Sequence, residues 1–244
     1  MDVPCTIEWM VLAVGAFIAA TLAAVSGFGG AALLLPILTL VFGVRDAVPI
    51  LTVIQIIGNG SRVFFNRREV DLHVVAWFAV GAVPMAFVGG FLFATAPLHV
   101  LTRILGAFLV LVVLWRRVHR AGLPRPSRKG FALIGGVSSL ISALVGSVGP
   151  LLAPFFLAYG LVKGAYIGTD ALCAVVMHAA KLVAYRQMSV LSLSSLGVGL
   201  ALGPIMIAGS FVGQRIVGRL PERVFVAIVE LAIAAAGALF LIRG

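Results

Sequence analysis

The sequence predicts an all-α integral membrane protein, a polytopic helix bundle built from two homologous halves. Apolar residues make up 62% of the 244 positions and charged residues only 11%. A soluble domain carries about 25% charged residues, so this composition excludes one. The apolar stretches are long enough to cross a bilayer as helices, and they recur along the whole chain.

Eight apolar segments are separated by short polar stretches. They cover residues 9–42, 47–65, 74–94, 98–114, 131–159, 164–185, 190–212 and 224–242. The first and the fifth are too long for one upright span, because as single helices they would measure about 51 Å and about 44 Å. Each carries a glycine cluster near its middle, and glycine is costly inside a helix. We therefore expect a Gly-broken helix pair in each of these two segments.

The two overlong segments also begin two similar halves. GFGGAALLLP at residues 27–36 resembles GSVGPLLAP at residues 146–154, and later stretches match in the same order. We expect a first membrane repeat over residues 1–115, a basic linker over residues 116–129 and a second membrane repeat over residues 130–244. Five crossings or half-crossings in each half would make the repeats inverted, which the distribution of basic residues favours. Four crossings in each half, the alternative, would make them parallel.

The basic linker fixes the expected orientation. Six of the 18 lysine and arginine residues lie within residues 116–129, and no acidic residue lies among them. A basic loop between apolar spans is the positive-inside signal. We expect this linker in the cytoplasm and the chain in the cell (inner) membrane as a multi-pass protein, with the lipid bilayer as its partner. Because the charge is placed in this way, the net charge of +10 does not indicate a nucleic-acid partner.

The glycine clusters indicate where a ligand would bind. Broken helices in matching positions of two halves point to the binding site of a transporter. A helix that restarts at such a break presents free N–H groups and the positive end of its dipole, which attract anions. Close helix packing is the alternative explanation. The predicted substrate-binding residues at the breaks are Ser26, Gly27, Phe28, Gly29, Gly30, Gly146, Ser147 and Gly149.

The segment that follows each break carries polar side chains within the membrane. The predicted substrate-binding residues there are Thr52, Gln55, Asn59, Arg62, Thr169, His178 and Lys181. Those of the first segment share one face of a helix at about 100° per residue. Arg62 and Lys181 suit a small anion, although either could instead extend toward an interface. His178 has the alternative of a hydrogen-bonded core residue.

Two carboxyl groups in apolar segments are candidates for proton coupling. They are Asp170 and Glu230, since an ionisable residue within the membrane marks function by default. Pairing of Asp170 with Lys163 or Lys181, and a structural hydrogen bond at Glu230, are the alternatives. The chain has no nucleotide-binding or catalytic motif and no metal-ligand spacing, so we expect no enzyme activity, no cofactor and no metal.

The chain resembles the sulfite exporter TauE/SafE family, also described as the 4-toluene sulfonate uptake permease family. The resemblance rests on SGFGGAALLLP (26–36), GSVGPLLAPFFLAYGLVKGAYIGTDAL (146–172) and HAAKLVAYRQMS (178–189), and it extends over residues 9–242. It implies two similar halves, each opening with a glycine-rich motif followed by a proline. It also implies transport of small sulfur-containing or organic anions.

The predicted function is secondary transport of a small anion, such as sulfite or a sulfonate. The anion would bind near the midplane, between the two breaks, and one half would move against the other to give alternating access. A channel for small solutes or anions is the alternative, as is a membrane subunit that does not transport. The sequence does not predict an oligomeric state.

Overall fold

A computed structural model describes residues 5–26, 30–118, 124–216, 238 and 241–242. This part of the chain forms eight helices and contains no strand. The helices are α1 (Thr6–Ser26), α2 (Gly30–Asn66), α3 (Leu72–Thr95), α4 (Leu98–Val118), α5 (Gly130–Val145), α6 (Gly149–Tyr159), α7 (Lys163–Gln187) and α8 (Leu193–Ile216). The segment predicted over residues 224–242 lies almost entirely outside the described residues.

Helices end and restart inside both overlong apolar segments. In the first, α1 ends at Ser26 and α2 begins at Gly30. In the second, α5 ends at Val145 and α6 begins at Gly149. Gly146 closes α5 with a positive φ of 85°, and its N–H donates to the carbonyl of Ser142 at 2.8 Å. A glycine is needed there because that backbone region is strained for other residues.

A second glycine interrupts the chain after each break. Helix α2 is 37 residues long, but Gly43 inside it has non-helical angles of φ 74° and ψ 165°. Gly160 has a φ of 104° and separates α6 from α7. The sequence predicts separate segments over residues 9–42 and 47–65, whereas α2 resumes immediately after Gly43. The prediction leaves a gap there because residues 44–46 are polar in part, but the backbone of these residues is already helical.

The first part of α2 runs back along α1. Gly30 packs so closely on α1 that a Cβ there would lie 2.3 Å from the carbonyl oxygen of Ala19. Further along, a Cβ at Gly15 would lie 2.7 Å from Cδ1 of Ile37. As the contacts move toward the start of α1, they move further along α2, so the two helices are antiparallel. The start of α1 and Gly43 therefore lie toward the same end of the molecule.

The described helices pack in two groups. Each group combines helices from the first half of the sequence with helices from the second half. Helix α1 packs most extensively on α8, and both contact α2. Likewise α5 packs most extensively on α3, which also contacts α7. We call α1, α2 and α8 the first packing group, and α3, α5 and α7 the second packing group. The two groups meet mainly through α2 and α7.

Small residues allow these helices to approach closely. A Cβ at Gly81 on α3 would lie 1.8 Å from the carbonyl oxygen of Ala132 on α5. A Cβ at Gly209 on α8 would lie 2.5 Å from the carbonyl oxygen of Phe17 on α1. Close approach at small residues is the usual way in which membrane helices pack, because lipid offers no hydrophobic drive between them.

Five of the described helices are long and apolar enough to cross a membrane. They contain the stretches Thr6–Ala24, Gly30–Asn66, Leu72–Thr95, Lys163–Gln187 and Leu193–Gly213. Large apolar side chains such as Leu133 and Leu193 are exposed on the outside of the bundle. Such side chains are suited to contact with lipid rather than water. The chain is a multi-pass membrane protein.

Candidate functional site

A cavity lies between α1, α2, α7 and the turn that leads into α6. Its empty volume is about 400 Å³, counting the part that lies open to the outside. Side chains of both packing groups line it. The cavity is therefore at the seam where the two groups meet through α2 and α7.

The α2 wall of the cavity carries Gln55, Asn59 and Arg62, which recur on one face at successive turns. The amide nitrogen of Asn59 donates to the carbonyl of Gln55 at 2.7 Å, and its amide oxygen accepts a hydrogen bond from Arg62. Arg62 also donates to the carbonyl of Ala23, near the end of α1, at 3.5 Å. Arg62 as a whole is 94% buried, and these contacts hold its guanidinium at the wall.

The α7 wall carries Asp170 and His178, two turns apart. The carboxylate of Asp170 faces α2 and interacts electrostatically with Arg62. Nδ1 of His178 is fully buried and has no hydrogen-bond partner among the described residues. A buried polar nitrogen without a partner is rare in folded proteins, because leaving it unpaired is costly. His178 itself lines the cavity and is a candidate to hydrogen-bond a ligand there.

The third wall is the turn into α6, where Ser147 and Gly149 line the cavity. The N–H of Gly149 donates to the hydroxyl of Ser147 at 3.5 Å. Gly149 is the first residue of α6, an 11-residue helix. The positive end of this helix dipole therefore lies at the cavity, together with the donors of α2. This combination suits an anion.

Lys181 lies behind this turn and is fully buried. Its ammonium donates to the carbonyl of Ser142 at 3.0 Å, to the hydroxyl of Ser142 at 2.8 Å and to the carbonyl of Gly146 at 3.0 Å. An ammonium has three donors, and all three are used here. In this structure the side chain secures the end of α5 and does not line the cavity.

The structure brings together eight of the residues predicted from the sequence. The predicted residues that line the cavity are Gly30, Gln55, Asn59, Arg62, Ser147, Gly149, His178 and the proton-coupling candidate Asp170. Those that are described but do not line it are Thr52, Gly146, Thr169 and Lys181. Those outside the described residues are Gly27, Phe28, Gly29 and Glu230, and of Ser26 only the backbone is described.

Two of the residues away from the cavity have structural partners. The hydroxyl of Thr52 donates to the carbonyl of Val48 at 2.9 Å within its own helix. The hydroxyl of Thr169 accepts from the N–H of Asp71 at 2.9 Å and so ties α7 to the start of α3. Both threonines are fully buried.

Sequence reasoning missed the apolar part of the lining. Ala23, Ala31, Leu152, Ala174 and Met177 complete the cavity wall. Nothing distinguishes these residues from the many other apolar residues in the sequence, since only their position beside the polar groups matters. No cluster of His, Cys, Asp or Glu suited to a metal ion occurs in the part of the chain that the structure describes.

Comparison with models of protein families gives one match. The family model described as sulfite exporter TauE/SafE matches residues 12–240, nearly the whole chain. The chain belongs to the TauE/SafE family. The resemblance predicted from the glycine-rich motifs is thereby confirmed. TauE/SafE proteins are membrane transporters of sulfite or related anions and not enzymes, so this chain is a membrane transporter. Neither the curated proteins nor the solved structures gave a match.

Proposed function

We propose that the chain is a secondary transporter that carries sulfite, a sulfonate or a related small organic anion by alternating access around the cavity. One observation carries the proposal. Hydrogen-bond donors from α2, from α7 and from the first turn of α6 converge on a single cavity between the two packing groups. A site that both moving parts share is what alternating access requires.

The lining matches the chemistry of such an anion. Sulfite and sulfonates present several oxygens that accept hydrogen bonds, and they carry negative charge. In the proposal the Arg62 guanidinium binds two of these oxygens, since its planar fork suits oxyanions. Asn59 and Gln55, Ser147 and His178 supply further donors around the remaining oxygens. The helix dipole at Gly149 adds to the attraction.

The proposed movement is between the two packing groups and not between the two sequence halves. Each group is held together by close helix contacts at small residues, such as Gly81 in the second and Gly209 in the first. The cavity lies on the α2–α7 seam between the groups. Rocking at this seam would expose the anion first to one side of the membrane and then to the other.

We further propose inverted repeats with the basic linker in the cytoplasm. The antiparallel packing of α1 and the first part of α2 supports a paired crossing. Arg45, two residues after Gly43, donates to the carbonyls of Ala94 and Ala96 at the end of α3, just before α4 begins. Arg128 of the linker that follows α4 donates to Tyr159, next to Gly160. One glycine thus lies near residues that precede α4 and the other near the linker after it, and this arrangement supports the proposed inversion.

The remaining predicted residues have supporting roles in this proposal. Lys181 and Gly146 shape the turn that presents Ser147 and Gly149 to the anion. Thr52 is hydrogen-bonded within α2, and Thr169 holds α7 to the start of α3.

Transport by purified protein in liposomes tests the proposal. Wild-type protein should take up radiolabelled sulfite or an alkanesulfonate with a rate that saturates, and it should show counterflow. Arg62→Ala should raise the KM for the anion by about 10- to 100-fold, because a charge-assisted hydrogen bond is lost. Arg68→Ala is the matched control, since Arg68 is an exposed arginine on the polar turn after α2.

Two results would contradict the proposal. Equal KM values for Arg62→Ala and Arg68→Ala would remove Arg62 from the site. A flux that does not saturate and shows no counterflow would indicate a channel instead of a carrier.

A further inference from the structure

The cavity proposed to hold an anion also contains a carboxylate. Asp170 lines the same space as Arg62 and is only 5% exposed. No hydrogen bond joins its side chain to any other described residue, although Arg62 is near enough for electrostatic interaction. A buried carboxylate beside an anion site repels the ligand that the site is built to attract, so its presence requires a reason.

The reason follows from counting charges. With Asp170 ionised, its charge cancels that of Arg62, and the charged side chains that line the cavity would leave an entering anion uncompensated. With Asp170 protonated, the positive charge of Arg62 is available to the anion. The protonated carboxyl can then also donate its O–H to an anion oxygen.

Few other ionisable groups face Asp170. From α2 there is Arg62, and on α7 itself there are Tyr166 and Cys173. His178 lines the same cavity, and both Arg62 and Lys181 act on it electrostatically. Asp71, at the start of α3, interacts with α7 at Cys173. The sequences of α5 and of α6 before its final tyrosine contain no ionisable residue. His178 is thus the other group in the cavity whose protonation would favour an anion, and the test must separate it from Asp170.

We propose that Asp170 takes up one proton when the anion binds and releases it when the anion leaves. This inference rests on the proposed function and names its coupling ion. Anion and proton enter from the same side, occupy the cavity together and leave on the other side. A monovalent anion then crosses with one proton, so each cycle moves no net charge.

Thermodynamic linkage gives the sign of the pH dependence. If binding of the anion requires one proton on Asp170, a higher proton concentration favours anion binding, and a bound anion favours proton uptake. Over the pH range in which the free protein has Asp170 ionised, the Kd for the anion rises about tenfold for each unit of pH. Below that range the Kd is constant.

Binding of methanesulfonate to purified protein tests the proton step. A sulfonate is suitable because it stays ionised from about pH 5 to about pH 8, whereas sulfite itself titrates there. Calorimetry in two buffers of different ionisation enthalpy counts the protons taken up with each anion. Wild-type protein should take up close to one proton where Asp170 is ionised, and its Kd should rise with pH. In Asp170→Asn both the proton uptake and the pH dependence should disappear.

Asp46→Asn is the matched control. Asp46 is away from the cavity, where it accepts a hydrogen bond from the hydroxyl of Ser195, and an asparagine oxygen can also accept it. This variant should keep the proton uptake and pH dependence of the wild type. In liposomes, an inward proton gradient should drive accumulation of methanesulfonate by wild type and by Asp46→Asn, and Asp170→Asn should not accumulate it.

The outcomes separate the two proposals. Methanesulfonate binding with the same Kd at every pH would overturn the proton step and leave the anion site standing. Loss of proton uptake in His178→Gln but not in Asp170→Asn would overturn the assignment to Asp170. Absence of anion binding by the wild type at every pH would overturn the proposed function and this inference with it.

Discussion

Lys181 donates to both oxygen atoms of Ser142, a residue 39 positions before it in the sequence. Arg62 donates to the carbonyl of Ala23, which is also 39 positions before it. In both cases a basic side chain reaches the end of the helix that precedes a break, where a cation complements the helix dipole. The two contacts differ in one respect that affects function: Arg62 lines the cavity, whereas Lys181 does not.

Replacement of Lys181 by methionine should destabilise the protein. The change removes three hydrogen bonds to a charged group at the buried end of α5, and each such bond contributes about 1.5–3 kcal/mol. Thermal unfolding of the purified protein in detergent measures the loss. Lys163→Met is the control, because Lys163 is exposed. Equal unfolding temperatures for the two variants would show that the contacts of Lys181 contribute nothing to stability.

The orientation of the repeats can be read from Cys5. This thiol is exposed, whereas Cys173 is fully buried. In a Cys173→Ala background, a membrane-impermeant maleimide should label Cys5 in intact cells, because the antiparallel α1–α2 pair puts the start of α1 opposite the basic linker. A cysteine introduced by Arg125→Cys should react only after permeabilisation. Labelling of both from the same side would instead favour one crossing per broken segment and parallel repeats.

Close packing between α3 and α5 should make Gly81 intolerant of even one methyl group. A Cβ there would lie 1.8 Å from the carbonyl oxygen of Ala132, so Gly81→Ala must push the helices apart. We expect a clear fall in unfolding temperature. Gly60→Ala is the comparison, since nothing lies within 4 Å of a Cβ at Gly60 and alanine favours a helix by about 1 kcal/mol. A Gly81 variant as stable as the Gly60 variant would contradict the packing described here.

The second glycine that interrupts the chain in each half should be sensitive to substitution for a different reason. Gly43 and Gly160 have φ values of 74° and 104°, and nothing lies within 4 Å of a Cβ at either position. Alanine would therefore fit into the space but strain the backbone, at a cost of about 1–2 kcal/mol. Chemical denaturation of Gly43→Ala and Gly160→Ala, compared with Gly60→Ala, measures this strain. Stability equal to that of Gly60→Ala would mean that the backbone relaxes to ordinary angles at these two positions.

Much of the helical architecture follows from local features of the sequence. Length and hydropathy predict helices such as α3 and α7 to within a few residues, because a membrane span must be long, apolar and internally hydrogen-bonded. The glycine clusters predict that helices end near residues 27 and 146, since glycine destabilises a helix wherever it occurs. The family follows from the same motifs.

What the sequence does not predict is which helix packs on which. The preference of α1 for α8, and of α5 for α3, depends on the fit of small-residue surfaces that are alike on many helices. The role of Lys181 cannot be predicted from the sequence for a related reason. A buried cation near an anion site suggests a ligand, and only the positions of the Ser142 and Gly146 carbonyls reveal that its donors are already engaged. Cavity residues such as Met177 carry no signal of their own.

The pairing of α1 with α8 has a consequence for how the protein is made. The hydroxyl of Thr21 donates to the carbonyl of Gly209 at 3.1 Å, across 188 positions of sequence. At a synthesis rate of about 5–20 residues per second, α1 waits roughly 10–40 s in the bilayer before its partner leaves the ribosome. Until then the face of α1 that packs on α8 lacks that partner, although α2 can already pack on its other side. A chain that stops before α8 therefore lacks the helix on which α1 packs most extensively.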